Sequence, residues 1–362
     1  MTTERMIHSD LAIPPGEYLA EVLEAKRISQ AEIGRRMGRP AQAINEIIKG
    51  EKAITPDTAL QLERALDVPA HIWTGLEAQY QLVMARQDEE KQLKQDLPLL
   101  AQIPYADLAR MKLVKMAKDK IGKVRELQRF FGVSSLKNMP DVKAYSPAFR
   151  FSQKKQASPY ALAAWLKCGE IRGREIATKP YAKEALKSKI AVIRGLSLKP
   201  PHEFEPELKQ FLAECGVALV MLPHLSKTYA NGATFWISSG KVVLLMSIRG
   251  SWADIFWFSF FHELAHILLH DKRMIFIEAG NLNPELKEQE QEADRFAANQ
   301  LIPPKAYDEL RKSVFSNPQA IQGIAEKTGV HAGIVVGRLQ YDKLVPQNSA
   351  LNKLRTRFTW SE

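Results

Sequence analysis

Apolar positions recur with a helical period over most of this chain, and β-prone runs are confined to one stretch. From Pro15 to Ala25, Leu19, Val22 and Leu23 fall on one face of a helix. Ser29-Gln-Ala-Glu32 matches a capping box, with serine as N-cap and glutamate three residues on. It predicts a helix through Ile33 to Met37 that stops at Gly38. Pro40 suits the first turn of the next helix, Ala41 to Lys49, which ends at Gly50. Two more helices are predicted, Ala59 to Leu66 after Thr55-Pro-Asp-Thr58, and Pro69 through Trp73, Leu76 and Tyr80 toward Arg86. Two short helices joined by a tight glycine turn make the helix-turn-helix plan, whose second helix enters the major groove of DNA.

Farther on, Leu108 to Phe131 is a lysine-rich amphipathic stretch that Gly122 divides into two helices. Residues 137–157, with Pro140 and Pro147, read as a loop or boundary. Helices follow over Ala161 to Ile176 and Tyr181 to Leu196, broken at Pro180 and Pro200-Pro201. The β-prone runs are Ala218 to Leu222, Thr234 to Ser238 and Val242 to Met246, enough for a small sheet. Glu285 to Ile302 reads as a helix with Ala293, Phe296, Ala297, Gln300 and Leu301 near one face. Residues 321–339 again read helix, glycine turn, helix, either closing a core or forming a second DNA-reading unit.

The candidate chemistry lies in an apolar and aromatic run. After Ile255-Phe-Trp-Phe-Ser-Phe-Phe261 the chain reads His262-Glu-Leu-Ala-His266. Residues four apart share a helix face, so His262 and His266 can present two imidazoles to one metal ion. Glu263 lies about 100° round the helix, beside the metal rather than on it, where a general base is needed. Two histidines and one carboxylate suit Zn²⁺ and leave a fourth position for water, whose proton Glu263 would take. The carboxylate would come from the acidic helix that follows, where Glu292 borders the apolar face and can point inward. Tyr229, His270 and His331 are candidates to hold the oxyanion of a tetrahedral intermediate, each with a structural role as the simpler reading.

From about Gly216 to Pro304 the chain resembles the ImmA/IrrE family of zinc metallopeptidases. The residues that carry the likeness are His262-Glu-Leu-Ala-His-Ile-Leu-Leu-His270 and Glu292-Ala-Asp-Arg-Phe-Ala-Ala298, ending at Leu301-Ile-Pro303. The resemblance implies a zinc endopeptidase with His262, His266 and Glu292 as ligands and Glu263 as base. Glu292 is chosen over Glu288, Glu290 and Asp294 for its place immediately before the alanine. Over residues 8–84 the chain resembles the HigA-type branch of the phage-repressor-like helix-turn-helix family. That likeness rests on Pro15-Gly-Glu-Tyr-Leu19, Ile28-Ser-Gln-Ala-Glu-Ile-Gly34, Asn45-Glu-Ile-Ile-Lys-Gly-Glu-Lys-Ala-Ile-Thr-Pro56 and Ile72-Trp73. It implies an antitoxin or repressor that binds a palindromic operator as a homodimer. By position Gln42 and Asn45 would face base edges, and Gln30, Arg35, Arg36, Arg39 and Lys49 would reach phosphates. Pro40-Ala41 departs from the polar pair that usually opens the recognition helix, so the bases read stay open. Phe149-Arg-Phe-Ser152 and Ser158 to Lys167 resemble the spacer of fused repressor-peptidase proteins.

Composition narrows the class without adding chemistry. With 362 residues, 45% hydrophobic and 25% charged, the chain has room for two or three domains. The amino terminus has no secretory pattern, and Asp254, His262, Glu263 and His266 interrupt the longest apolar run, which argues against a membrane span. Cys168 and Cys215 make no disulfide scaffold and read as reduced thiols in the cytoplasm. The net charge of +10 belongs to the middle: residues 87–200 hold 24 Lys and Arg against 11 Asp and Glu. That surplus is either a solvated helical surface or a face for phosphate or an acidic partner.

These readings predict a multidomain chain. Residues 1–86 form an all-α helix-turn-helix DNA-binding domain, 87–200 a basic helical middle, 201–345 an α+β zinc metallopeptidase domain, and 346–362 a basic tail. The expected function is a cytoplasmic DNA-binding regulator whose zinc endopeptidase cleaves a repressor, an antitoxin-like protein or itself on a stress or phage signal. The alternative is an antitoxin or autorepressor, with a small toxin as its candidate partner, whose zinc domain senses or scaffolds without turnover.

Overall fold

The computed structural model of the chain describes residues 11–150, 158–247, 252–272, 274–278, 286–312 and 317–358. Glu285, Phe151 and Ser152, and residues 359–362 of the basic tail fall outside these. The chain divides into two compact units, Met1–Gln95 and Asp96–Glu362.

The first unit is all helix: α1 Pro15–Ala25, α2 Gln30–Met37, α3 Ala41–Ile48, α4 Pro56–Leu66 and α5 Ala70–Asp96. Ser29 caps α2 with its Oγ accepting from the Glu32 N–H at 3.2 Å, the half of the capping box that forms, while the Glu32 carboxylate turns to Arg35 and Arg36. Gly38 ends it at φ +65°, a left-handed conformation that glycine adopts without strain. Leu19, Ile33, Ile44, Leu62 and Trp73 are buried together as the core. At Gly16 a Cβ would stand 2.1 Å from the Ile47 carbonyl oxygen, so only glycine lets α1 lie this close to α3. The expected boundary at residue 86 falls inside α5. No glycine or proline interrupts the stretch after Gly75, and the helix runs to Asp96, ahead of Pro98.

The second unit surrounds a four-stranded sheet. Its helices before the sheet are α6 Tyr105–Arg110, α7 Lys120–Phe131, α8 Ser146–Arg150, α9 Pro159–Glu175, α10 Lys183–Gly195 and α11 Pro201–Glu214. Strands β1 Val217–Leu222, β2 Gly232–Ser238 and β3 Lys241–Ser247 precede α12 Ala253–Leu269, and β4 Phe276–Glu278 follows it. The chain continues through α13 Lys287–Leu301, α14 Pro304–Lys312, α15 Pro318–Thr328 and α16 Ala332–Tyr341. The strand order is β1-β3-β2-β4, with β1 parallel to β3 and both other pairs antiparallel.

Of residues 96–200, expected to belong to a separate middle, α9 covers the sheet's second face, while Leu186, Ile193 and Leu196 of α10 and the turn after it join the main core with α12. At Gly169 and Gly173 of α9 a Cβ would come within 2.5 Å of Leu245 and Val243. The alternate residues of β3, Val242, Leu244 and Met246, join Trp257, Phe260, Phe261 and Leu264 of α12 in the main core. Side chains of one strand thus feed both layers, as the two-residue period requires. The stretch expected to be a loop, 137–157, includes a short 3₁₀ turn at Leu136–Asp141 and α8, and it buries Met139 and Tyr145. Cys168 and Cys215 are buried and unpaired. No described helix is long and apolar enough to cross a membrane.

Candidate functional site

Helix α12 is buried almost all round, so its polar residues sit in the interior. His262 and His266 are each 3% exposed and Glu263 is 0% exposed. The two Nε2 atoms stand 3.0 Å apart. Glu290 of α13 reaches them from the facing helix, with its Oε2 3.1 Å from His262 Nε2 and its Oε1 3.7 Å from His266 Nε2. His262, His266 and Glu290 form the one group of three possible metal ligands among the described residues, with donor atoms within 4.8 Å of one another.

The sequence reading placed Glu292 here; the structure does not. Glu292 is exposed, and its Oε2 lies 3.2 Å from His270 Nε2. The reason is helical arithmetic. Glu290, Ala293, Ala297 and Leu301 are all buried at the spacing of one face, while two residues beyond Glu290 the helix has turned by about 200°. Proximity to the alanine in sequence is not proximity on the helix.

The nitrogens turned away from Glu290 are also held. His262 Nδ1 is 2.9 Å from Asp294 Oδ1, and His266 Nδ1 is 2.9 Å from His270 Nδ1. Phe276 of β4 stacks on the His266 ring at 3.9 Å and 13°. Such outer partners orient ligating imidazoles and leave both Nε2 atoms facing the cluster. Burial opposes a charge on His262, but Asp294 and Glu290 outweigh it and lift its pKa to about 11. Burial, then repulsion from His262 and His270, pushes His266 down to about 2. The cluster therefore favours one positive charge between carboxylates. Two imidazole nitrogens and a carboxylate are a donor set for zinc, and the residues present fit that ion.

Glu263 points from α12 against β2. Its Oε2 accepts from Thr234 Oγ1 at 2.7 Å, whereas its buried Oε1 has no hydrogen-bond partner. Burial raises its carboxyl well above the usual carboxylate range, against the pull of His262. A Cβ at Gly232 would lie 2.5 Å from Glu263 Cγ, so that glycine clears the space the carboxylate occupies. Burial likewise raises Glu278 of β4, which accepts from Ser259 at 2.9 Å and from Asn231 at 3.2 Å. Sequence reasoning missed Gly232, Thr234 and Glu278, and it weighed Glu290 but passed it over for Glu292. Thr234 alone left a trace there, as a polar residue inside a β-prone run.

Of the three oxyanion candidates, His270 adjoins the cluster through His266. His331 does not: its Nδ1 accepts from the Gly333 N–H at 3.1 Å and caps α16. Tyr229 lies on the β1–β2 connection at φ 53°, with its ring edge-on to His224 at 5.8 Å.

In the first unit, α3 follows α2 across the Gly38 turn as a helix-turn-helix. Gln42 is exposed and donates to Glu46 at 3.1 Å, Asn45 is half-buried, and Gln30 and Lys49 are exposed. Arg35 and Arg36 pair with Glu32 at 2.6 and 3.0 Å on an exposed face. Arg39 is drawn inward, donating to Gln61 at 2.7 Å and to Asp57 at 3.3 Å.

Comparison with known proteins agrees with this division. Residues 254–340 match the family model of the IrrE N-terminal-like domain, and residues 19–73 match a helix-turn-helix model. The chain is 36% identical over 80 residues to virulence-associated protein I of Dichelobacter nodosus, which is 22% of this chain and 74% of that protein. The solved antitoxin HigA of Pseudomonas aeruginosa with the higBA promoter is 32% identical, covering 24% of this chain and 95% of that one at a TM-score of 0.23. An addiction module antidote protein of the HigA family from Coxiella burnetii is 29% identical, covering 24% and 94% at a TM-score of 0.22.

Proposed function

We propose, from a helix-turn-helix domain related to virulence-associated protein I and an IrrE N-terminal-like domain joined in one chain, that the protein is a DNA-binding regulator carrying a zinc-dependent endopeptidase. The observation that carries the reading is the convergence of His262 Nε2, His266 Nε2 and Glu290, with Glu263 beside them offering an unpartnered carboxylate oxygen. His262, His266 and Glu290 would hold a zinc ion, which when bound would supply Lewis acidity toward a peptide carbonyl and acidify water. Thr234 fixes one oxygen of Glu263 so that Oε1 accepts a proton from water and passes it to the departing amide nitrogen. Asp294 and His270 keep the two imidazoles turned toward the centre. The protein substrate is a repressor or antitoxin-like partner, or the chain itself.

One observation favours a second reading, a sensor or scaffold without turnover. His262, Glu263, His266 and Glu290 are all buried, at 3%, 0%, 3% and 7% exposure. The test is proteolysis by zinc-loaded wild type and Glu263→Gln in parallel, against proteins encoded beside the gene and against the chain itself. We expect a defined cut by the wild type that slows by about 10²–10⁴-fold in Glu263→Gln, the usual contribution of a general base. Equal cutting by both would remove Glu263 from its role, and no cut in any pairing would favour the sensor.

The amino-terminal domain reads an operator as a homodimer, with α3 in the major groove. Gln42 and Asn45 meet base edges; Gln30, Arg35, Arg36 and Lys49 meet phosphates, whereas the internal contacts of Arg39 give it a structural task. Gln42→Ala with Asn45→Ala is expected to lower the operator-to-random-DNA affinity ratio by about tenfold or more, measured by fluorescence anisotropy. An unchanged ratio would refute their contact with bases.

A further inference from the structure

A second cleft lies away from the metal centre. It has a volume of about 430 Å³, and Tyr145, Leu166, Phe235, Trp236, Ile237 and Ile275 give it an apolar floor. Lys143, Lys167, Arg174 and Lys272 line it as well, with Glu170 as the one carboxylate. That carboxylate is shared between Lys167 at 3.0 Å and Arg174 at 2.8 Å. Lys272 has no described carboxylate partner; its ammonium lies over the rings of Trp236 at 4.4 Å and Tyr181 at 4.9 Å. Lys143 is exposed, and no acidic partner is found for it among the described residues. The cleft thus carries three positive charges beyond its one negative charge. Three of its four cations come from residues 87–200, the stretch that holds the chain's charge surplus.

The same cleft reaches an open sheet edge. Strand β4 pairs with β2 only from Gly232 to Thr234, and among the described residues no strand pairs with that edge of β2 from Phe235 onward. Phe235, Trp236 and Ile237, which are consecutive and alternate in face, all line the cleft. An extended chain can add to such an edge through main-chain hydrogen bonds, with side chains read on either side.

We propose that this cleft is a docking site for an extended, acidic peptide segment of a partner protein, separate from the metal centre. A cationic rim over an apolar floor fits acidic residues flanking a large apolar one. Single-stranded nucleic acid fits less well, because binding of that kind needs open aromatic faces for base stacking. Trp236 is covered by Lys272 and by the edge of Tyr181 at 4.8 Å, and Tyr145 is buried with its hydroxyl bonded to the Phe131 carbonyl.

The test uses the full chain bearing Glu263→Gln, so that binding is read without cleavage. The probe is a labelled decapeptide with a phenylalanine between pairs of glutamates; its lysine counterpart and a labelled ten-nucleotide single strand are the controls. Anisotropy is expected to show binding of the acidic peptide alone, weakening as salt rises. Lys143→Glu with Arg174→Glu should weaken it at least tenfold, and Lys143→Ala, a milder surface change, should weaken it in the same direction. Equal binding of both peptides, preference for the oligonucleotide, no binding, or full affinity in the charge-reversed variant would each overturn the proposal. Cleavage by the wild type that is indifferent to this cleft would leave the peptidase standing, and binding without any cleavage would leave the cleft standing.

Discussion

Glu290→Ala is expected to strip the carboxyl-terminal unit of zinc, while Glu292→Ala keeps a full equivalent. Structural zinc sites bind with about 10–16 kcal/mol, so on that scale one of three protein ligands carries on the order of 4 kcal/mol, close to a thousandfold in affinity. Glu290 is buried with a carboxylate oxygen 3.1 Å from His262 Nε2, and no other carboxylate is within reach of both Nε2 atoms among the described residues. Glu292 faces solvent and touches the centre only through His270, so its loss should cost at most the 10- to 100-fold of an outer partner. Competition with a chromophoric chelator, followed by metal analysis of both variants, reads the difference. Zinc retained by Glu290→Ala and lost by Glu292→Ala would restore the assignment drawn from the motif.

The second large effect lies at the start of α12. Asp254, in the first turn of α12, is held by Arg355 through two bonds of 3.0 and 2.7 Å, with side chains 8% and 7% exposed. Arg355 also donates to Gln340 at 3.0 Å and lies 4.2 Å above the Trp252 ring. Arg355→Ala leaves a carboxylate buried without its counter-ion and is expected to cost about 3–5 kcal/mol. Burial already raises the Asp254 carboxyl, with Arg355 opposing that shift. A folded-state value above the unfolded one means that the charged form is disfavoured in the fold, so the penalty appears as pH rises past the unfolded carboxylate value. The deficit of Arg355→Ala should therefore be smallest in acid and grow toward neutral pH, as urea denaturation at the two pH values would show. A loss below about 1 kcal/mol at neutral pH would mean that the pair contributes little.

What the sequence made legible was local. The serine cap at Ser29, the glycine turn at Gly38 and the pair His262 and His266 each act within one helical turn, and each is where the sequence places it. The three longer strands were legible as apolar runs. Strand β4 was not, because three residues carry no period, and its place depends on an edge that β2 offers. The carboxylate of α13 that meets the two histidines was misplaced for a similar reason. Four acidic residues within seven positions all suit a metal chemically, and only the packing of Ala293 and Ala297 against the core decides which one turns inward. Gly232 and Thr234 matter because Glu263 crosses to β2, a contact between elements about thirty residues apart. The middle region read as a separate basic spacer because its charge hides the small-residue face of α9, which fits the sheet.

The measurement that tests the central claim most directly is a diffraction experiment on zinc-loaded protein with data on both sides of the zinc absorption edge. The account predicts one anomalous peak about 2.0–2.2 Å from His262 Nε2, His266 Nε2 and a Glu290 oxygen, with Glu263 beside it and not bonded. A peak ligated by Glu292, a peak elsewhere in the chain, or none at full zinc loading would contradict it.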